Sequence, residues 1–447
     1  MKKDKNVFLD LCYSMSSFSG GIVSIVVGSW MTYYYVDKLG LGPRYYAIGM
    51  VIYSVWCAID DPMMGIISDK TRSRWGRRKP YMLFGAIPLG LSLMLVFSPP
   101  RAFLETELGI FLFFIVSLCI YDTFFTMTML TMSAALPDMY LDEKNRARVN
   151  VYAQIAGVLG GIIATLTVEP LVEAFNFSAM SIIFGAIGAI TMFIGALGVR
   201  EREVNAQGGS LSFVQSFIAT FTNKAFVVCV LSVLMVELGK TVFQATVPFY
   251  SHYVLMTDFG TTIIMGIIFG SSIVFAPLVA MVCGKLGVRN TYILTTLVFS
   301  VASLGYFFAQ NMVVACIASG IAGFGLSGLL MMPNMLYAQI IDDDQVRTGV
   351  RRDGTFFGMN ALVMRLGLAA QGIIMSSIFS ATGYVADADI QTSQAVFGIR
   401  SLLGIVPLAG AILAVLILLF YPINNARLRE VQEKVRIMNQ ELEDVKE

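Results

Sequence analysis

The sequence predicts an all-α membrane protein with twelve transmembrane helices, and its composition is the first support for this fold class. Of the 447 residues, 56% are hydrophobic and only 14% are charged, whereas a soluble domain carries roughly a quarter charged residues. The mean hydropathy is +0.73. Apolar stretches long enough to cross a bilayer, about 20 residues each, recur along the whole chain. The chain therefore has too little polar surface to fold in water alone.

Short polar connections separate the predicted spans, except at one place. The spans cover residues 7–36, 43–68, 80–98, 108–138, 148–172, 178–199, 225–252, 260–284, 290–309, 312–341, 354–384 and 396–422. The longest polar interruption predicts four regions: an N-terminal six-helix half at 1–199, a cytoplasmic linker at 200–224, a C-terminal six-helix half at 225–422 and a charged cytoplasmic tail at 423–447. LPDMY at 136–140 resembles MPNMLY at 332–337, which favours two pseudo-repeat halves.

The distribution of lysine and arginine predicts the orientation. With both termini in the cytoplasm, 25 of the 31 basic residues lie in cytoplasmic segments, four lie outside and two lie within spans. Cytoplasmic loops of membrane proteins carry this excess of positive charge. We therefore expect a multi-pass protein with an even number of spans, in the plasma (inner) membrane of a prokaryote.

Motifs of several other protein classes are absent. The sequence has no GxxxxGK[ST] phosphate loop, no HExxH and no GxSxG in a strand-turn-helix context. The six cysteines are isolated within apolar stretches and form no CxxC pair, which is typical of buried apolar residues rather than metal ligands. A net charge of +1 gives no support for nucleic-acid binding. We expect no enzymatic activity, no bound metal and no resident cofactor.

Acidic residues within the second predicted span are the first candidates for chemistry. Asp60 and Asp61 precede Pro62, and Tyr53, Cys57 and Asp61 recur every four residues on one helix face. Ionised groups in a membrane core need a partner, water or a function. Two adjacent carboxylates resist double ionisation, which suits binding of a proton or a cation. Alternatively, one aspartate pairs with the basic loop at 70–79.

Three further spans carry charged residues. Asp122 in span four is either a binding residue or a gate residue at the outer end. Glu237 and Lys240 in span seven stand three residues apart and can form a structural ion pair. Arg365 in span eleven carries a planar guanidinium that binds carboxylates, sulfonates or phosphates with two hydrogen bonds. A salt bridge from Arg365 to Asp61 or Asp122 is the alternative.

The segment WCAIDDPMMGIISDKTRSRWGRRKPY at 56–81 resembles the signature of the glycoside–pentoside–hexuronide:cation symporters, the melibiose-carrier family of the major facilitator superfamily. IIDDDQVRTGVRRDG at 340–354 and MTYYYVDKLGLG at 31–42 are similar to two further family segments. The resemblance implies the major facilitator fold and alternating access, with co-transported H⁺ or Na⁺. It also implies a cation-binding role for Asp61.

The chain departs from the family pattern at four functional positions. Gly21 and Met129 stand where the sugar-carrying members have aspartates, Cys57 stands at the first cation-binding aspartate, and Arg365 replaces a lysine. The resemblance therefore implies the scaffold more strongly than a melibiose-like sugar. We expect the substrate contacts to come from Arg365, Asp122, Tyr53, Trp56, Trp30, Tyr121, Phe125, Met129 and Gly21, although packing alone could account for the aromatic residues.

Charged residues of the cytoplasmic loops are candidates for an inner gate, whose salt bridges would break during transport. They are Asp69, Arg72, Arg74, Arg77, Arg78, Asp138, Arg146, Asp342, Asp343, Arg351 and Arg352. The alternative is that these basic residues only orient the chain in the membrane.

The sequence as a whole favours a cation-coupled secondary transporter of a small solute, by family default a sugar, glycoside or uronide. The partners expected are this small molecule and the lipid bilayer, with the chain acting as a monomer. A carrier of an amphiphilic anion such as a lysophospholipid is the first alternative. A non-transporting membrane sensor is the second.

Overall fold

A computed structural model describes residues 7–140, 143–200, 220–257, 259–348 and 352–423, together with residues 427, 430, 431, 433 and 434. The side chains at 66, 69, 137, 138, 143, 144, 147, 353 and 354 are outside this description. The described residues form helices and short connections, with no strand among them. The predicted linker and tail fall largely outside the described residues.

Twelve of the described helices are long and apolar enough to cross a membrane, which confirms the predicted fold class. They are Val7–Tyr33, Pro43–Lys70, Lys79–Val96, Glu107–Met139, Glu143–Ala174, Phe177–Gly198, Lys224–Tyr250, Gly260–Leu286, Val288–Phe308, Met312–Thr348, Asp353–Thr382 and Ser393–Leu418. We number them span one to span twelve. A one-turn helix, Arg101–Leu104, precedes span four.

Two spans continue into a wider helical turn. A π-helix at Tyr34–Lys38 extends span one, and a second at Ser251–Leu255 extends span seven. Span ten runs seven residues beyond its predicted end at 341. Asp343 and Asp344 in that extension are buried, and Arg347 forms an ion pair with Asp343 one helical turn away. Local pairing thus lets the helix continue through a polar segment.

The chain divides into two compact units. Unit 1 contains Met1–Gln207, Gln244–Gly266 and Ala369–Ile399, and unit 2 contains Gly208–Phe243, Ile267–Leu368 and Arg400–Glu447. Unit 1 therefore combines the first six spans with parts of spans seven, eight, eleven and twelve.

Close helix contacts in both units depend on glycine. In unit 1, a Cβ built on Gly21 of span one would overlap the backbone carbonyl of Gly157 in span five. In unit 2, a Cβ on Gly325 of span ten would overlap the backbone of Phe299 in span nine. Small residues let the backbones of two helices approach closely. The van der Waals packing that results helps to hold helices together in a membrane.

Candidate functional site

Spans two and four carry a cluster of carboxylates within unit 1. The Tyr53 hydroxyl donates to Asp122 Oδ1 at 3.0 Å, and the Thr126 hydroxyl donates to Asp61 Oδ1 at 2.9 Å. Asp60 is completely buried, Asp122 is buried, and Asp61 keeps partial exposure. The structure therefore brings together four polar residues from two helices, three of which the sequence had singled out.

Helical spacing explains this geometry. Asp122 and Thr126 lie one turn apart on span four, and Tyr53 and Asp61 lie two turns apart on span two. At these residues the two helices are consequently joined by two side-chain hydrogen bonds, from Tyr53 to Asp122 and from Thr126 to Asp61. Cys57 stands between Tyr53 and Asp61 and is fully buried. In this part of the molecule the chain offers carboxylate and hydroxyl oxygens, which bind a proton or a small hard cation.

The described residues contain no group of three or more His, Cys, Asp or Glu side chains placed to hold a metal ion.

Two positions where the resemblance implies lost aspartates prove to be packing positions. Gly21 faces the Gly157 carbonyl so closely that a side chain there would displace span five. The sulfur of Met129 fills the space in front of Gly20. Both contacts are accounted for without a substrate. A glycine at position 21 therefore has a structural reason, which the sequence alone did not show.

The aromatic residues proposed to contact the substrate lie in separate regions of unit 1. Tyr121 and Phe125 stack on span four with ring centroids 5.7 Å apart. Trp30 packs on Tyr33 and Phe177 and borders a cavity of about 580 Å³ that also contains Lys38 and His252. 

A further aromatic candidate of unit 1, Trp56, is exposed, and its indole N–H donates to the Thr123 hydroxyl at 3.1 Å. It lines an apolar groove of about 550 Å³ between spans two and four. Trp56 and Trp30 therefore line two different cavities.

Unit 2 contains a second polar cavity, of about 420 Å³. Glu237, Asn334, Tyr337, Asn360 and Arg365 are among the residues that line it. The Tyr337 hydroxyl donates to Asn360 Oδ1 at 2.6 Å, which turns the amide nitrogen of Asn360 away from Tyr337. Lys240 Nζ lies 2.7 Å from Glu237 Oε2. Arg365 and Glu237 thus border one cavity, which neutral hydrogen-bonding side chains also line. The sequence had not singled out Asn334, Tyr337 or Asn360.

Several residues proposed for the inner gate form ion pairs within unit 2. Asp343 is buried and forms ion pairs with Arg347 at 2.8 Å and with Arg427 at 2.9 Å. Arg352 pairs with Asp344 at 2.7 Å. The sequence did not predict an inner-gate role for Arg347, Asp344 or Arg427. Val431 is also buried, and the ion pair of Arg427 attaches the described part of the tail to span ten.

The remaining inner-gate candidates have varied surroundings. In unit 1, Arg78 donates to the Ala134 carbonyl, and Arg146 donates to the Tyr140 carbonyl at 3.2 Å. Arg74 lies over the Trp75 ring, 4.5 Å from its centroid. Arg72 is exposed, and Arg77 and Asp342 are half-buried. The side chains of Asp69 and Asp138 and the whole of Arg351 lie outside the described residues.

Proteins of known sequence resemble this chain over nearly its whole length. The "Glucuronide carrier protein homolog" of Escherichia coli (strain K12) is 23% identical, with 94% of this chain and 93% of that protein covered. The "Isoprimeverose transporter" of Lactiplantibacillus pentosus is 25% identical, with 92% and 88% covered. The "Putative sulfoquinovose importer" of E. coli (strain K12) is 24% identical, with 95% and 92% covered.

Solved structures share the fold. The nucleoside transporter NupG has a TM-score of 0.64 at 16% identity, with 93% of this chain and all of that chain covered. A bacterial homologue of the human lysosomal transporter Spinster, in an inward-facing conformation, has a TM-score of 0.63 at 15% identity, with 94% and 97% covered.

These relatives are named as transporters or carriers rather than as enzymes. The twelve apolar helices and the bacterial relatives together indicate a multi-pass protein of the inner membrane. The sequence profile of one family, described as MFS/sugar transport protein, matches residues 12–425. The chain accordingly belongs to the MFS/sugar transport protein family, and it is a transporter.

Proposed function

We propose that this transporter couples the entry of a cation, H⁺ or Na⁺, to the movement of a small sugar-like solute with an acidic group. The observation that carries the proposal is the hydrogen-bonded carboxylate cluster of Asp61 and Asp122 on spans two and four. A helix buried in lipid keeps such groups only at a cost of several kcal/mol. Binding of a cation or proton removes much of this cost.

Asp61 is the residue that we assign to cation binding. It keeps partial exposure while Asp60 beside it is fully buried, so a cation can reach Asp61 first. The Thr126 hydroxyl fixes one of its oxygens. A membrane potential of about 100 mV supplies about 2.3 kcal/mol per charge, enough for roughly fiftyfold accumulation of the solute.

The polar cavity of unit 2 is the place that we assign to the acidic group of the solute. Arg365 provides a permanent positive charge with parallel N–H groups, and Asn360 provides an amide donor fixed by Tyr337. Two of the relatives carry names that refer to a glucuronide and to sulfoquinovose. These solutes bear a carboxylate and a sulfonate, which supports a sugar acid over a neutral sugar.

The experiment measures uptake of labelled glucuronate or sulfoquinovose into proteoliposomes under a proton or sodium gradient. We expect Asp61→Asn to abolish gradient-driven accumulation but to retain exchange of internal for external solute, since exchange needs no net cation movement. Glu105→Gln is the control, because it removes an exposed carboxylate outside the spans. Accumulation by Asp61→Asn equal to that of the parent protein would rule out the coupling role.

One observation favours a second candidate function. The groove beside Trp56 is apolar, and the exposed residues around it include Ile52, Val55 and Ile59. Such a surface fits the acyl chain of an amphiphilic anion such as a lysophospholipid. Thermal-shift measurements with a lysophospholipid and with the sugar acids distinguish the two classes. Stabilisation by the lysophospholipid alone would favour this second function.

A further inference from the structure

We infer that Asp37 is the central acceptor of an outer latch, formed by Asp37, Lys38, Tyr253, Tyr384 and Asp387, that holds the outer end of the transporter closed. All five residues belong to unit 1. They come from the end of span one, the end of span seven and the loop after span eleven. The segment at 31–42 resembled a family segment, yet the proposed function gives it no role.

The contacts of Asp37 are concentrated on one oxygen of a buried carboxylate. Asp37 is completely buried, and its Oδ1 accepts from the Tyr253 hydroxyl at 2.5 Å and from the Tyr384 hydroxyl. The backbone N–H of Asp387 donates to the same oxygen at 3.2 Å. Lys38 Nζ lies 3.3 Å from Oδ2. This one buried side chain therefore joins the end of span one, the end of span seven and the loop after span eleven.

The π-helix at the end of span one explains how neighbouring residues share these contacts. Its wider turn is closed by hydrogen bonds from Leu39 N to Tyr34 O and from Leu41 N to Tyr35 O, both at 2.9 Å. Such turns occur mostly as single features at functional sites. Here the turn keeps Asp37 buried while Lys38, the next residue, reaches the surface and pairs with Asp387 at 2.8 Å.

The loop after span eleven is shaped to complete the latch. Asp387 has a φ of +50°, in the left-handed region that side chains other than Gly, Asn and Asp rarely adopt. The Gln391 side chain binds both the N–H and the carbonyl of Val385, which closes the loop. The pKa of the Asp387 carboxyl is held below its usual range by its hydrogen bond and charge interaction with Lys38. Asp387 therefore stays ionised and retains Lys38 at neutral pH.

Opening the outer side requires the latch to come apart, because span one must separate from spans seven and eleven there. The same cluster borders the 580 Å³ cavity through Lys38, next to Tyr33 and His252. A solute arriving from outside would therefore meet the latch before it reaches the carboxylates of spans two and four. The latch is a gating device that acts in addition to cation binding at Asp61.

A cysteine reporter tests the latch. Ser29 of span one is buried and accepts a hydrogen bond from Gln244 of span seven at 3.2 Å. Ser29→Cys should react slowly with a membrane-impermeant maleimide added outside intact cells. In the Tyr253→Phe/Tyr384→Phe background we expect its labelling rate to rise at least about tenfold, since two hydrogen bonds to a charged acceptor are lost. The protein without Ser29→Cys corrects for the native cysteines.

Tyr34→Phe is the matched control. It removes a hydroxyl of the same segment that donates to the Phe97 carbonyl at 3.2 Å and not to Asp37. Its labelling rate should equal that of Ser29→Cys alone. An unchanged rate in the double tyrosine variant, or an equal rise in Tyr34→Phe, would overturn the inference.

A milder variant covers the case in which the double variant does not fold. Asp387→Asn keeps the backbone donor and tolerates the positive φ, but it loses the ion pair with Lys38. We expect a smaller but measurable rise in labelling. No rise in this well-folded variant would also count against the latch. All labelling is done without substrate or gradient, so failure of the coupling proposal leaves this result unaffected.

Discussion

Thr126 contributes a hydroxyl to the carboxylate at which we propose that the cation binds. It lies one turn after Asp122 on span four, and this spacing places its oxygen 2.9 Å from Asp61 Oδ1. Asp61 is half-buried, and this hydrogen bond fixes the direction of one of its carboxylate oxygens.

We expect Thr126→Val to weaken Na⁺ binding by roughly tenfold, because the substitution removes a hydroxyl oxygen and leaves the Asp61 carboxylate free to rotate. The measurement is the cation concentration that gives half-maximal uptake. Thr128→Val is the matched control, because the Thr128 hydroxyl bonds only to carbonyls of its own helix. An equal effect of the two substitutions would point to a general change in span four.

The residues of the carboxylate cluster differ in how far the sequence could predict them. Asp61, Asp122 and Tyr53 stood out because charged and polar groups are rare in apolar spans. Thr126 did not, since threonine is common in membrane helices and often bonds to its own backbone. Gly21 looked like a lost acid, but its reason is the backbone of span five, which lies far away in sequence.

Helices in unit 2 make contacts that require glycine at some positions only. Gly325 of span ten lies against the backbone of Phe299, whereas a Cβ on Gly320 of the same span would meet no atom within 4 Å. The two positions differ because only Gly325 lies closely against the neighbouring span nine.

We expect Gly325→Ala to destabilise the protein by about 1–3 kcal/mol, the usual cost of overpacking. Gly320→Ala should be neutral or slightly stabilising, because alanine restricts the unfolded chain more than glycine does. Thermal unfolding of the purified protein in detergent measures both. A Tm for Gly325→Ala at or above that of Gly320→Ala would contradict the contact described here.

The helices themselves were predictable from hydropathy, but their ends were not. Span ten continues beyond 341 because Asp343 obtains partners from Arg347 and from the tail residue Arg427, and the second of these is distant in sequence. The two π-helices carry no mark in the sequence, since one additional residue in a turn does not alter composition or periodicity enough to be seen.

At the scale of the whole molecule, the orientation in the membrane follows from the basic residues. The loop at 71–78 should face the cytoplasm, and the segment around Glu105 should face outward. We expect Glu105→Cys to be labelled by an impermeant maleimide in intact cells, and Ser73→Cys to be labelled only after the membrane is opened. Both positions are exposed. The reverse pattern would invert the orientation and, with it, the side on which the latch acts.

The two π-helices also tell something about the history of the chain. One ends span one and the other ends span seven, which are the first helices of the two predicted six-helix halves. Each has five residues, and Tyr253 of the second binds Asp37 of the first. Duplication of an ancestral six-helix unit that already carried the wide turn would produce this correspondence. In an ancestor built from two identical copies of that unit, the two wide turns would have contacted each other across the two-fold axis. The present contact between Tyr253 and Asp37 would descend from that symmetric one.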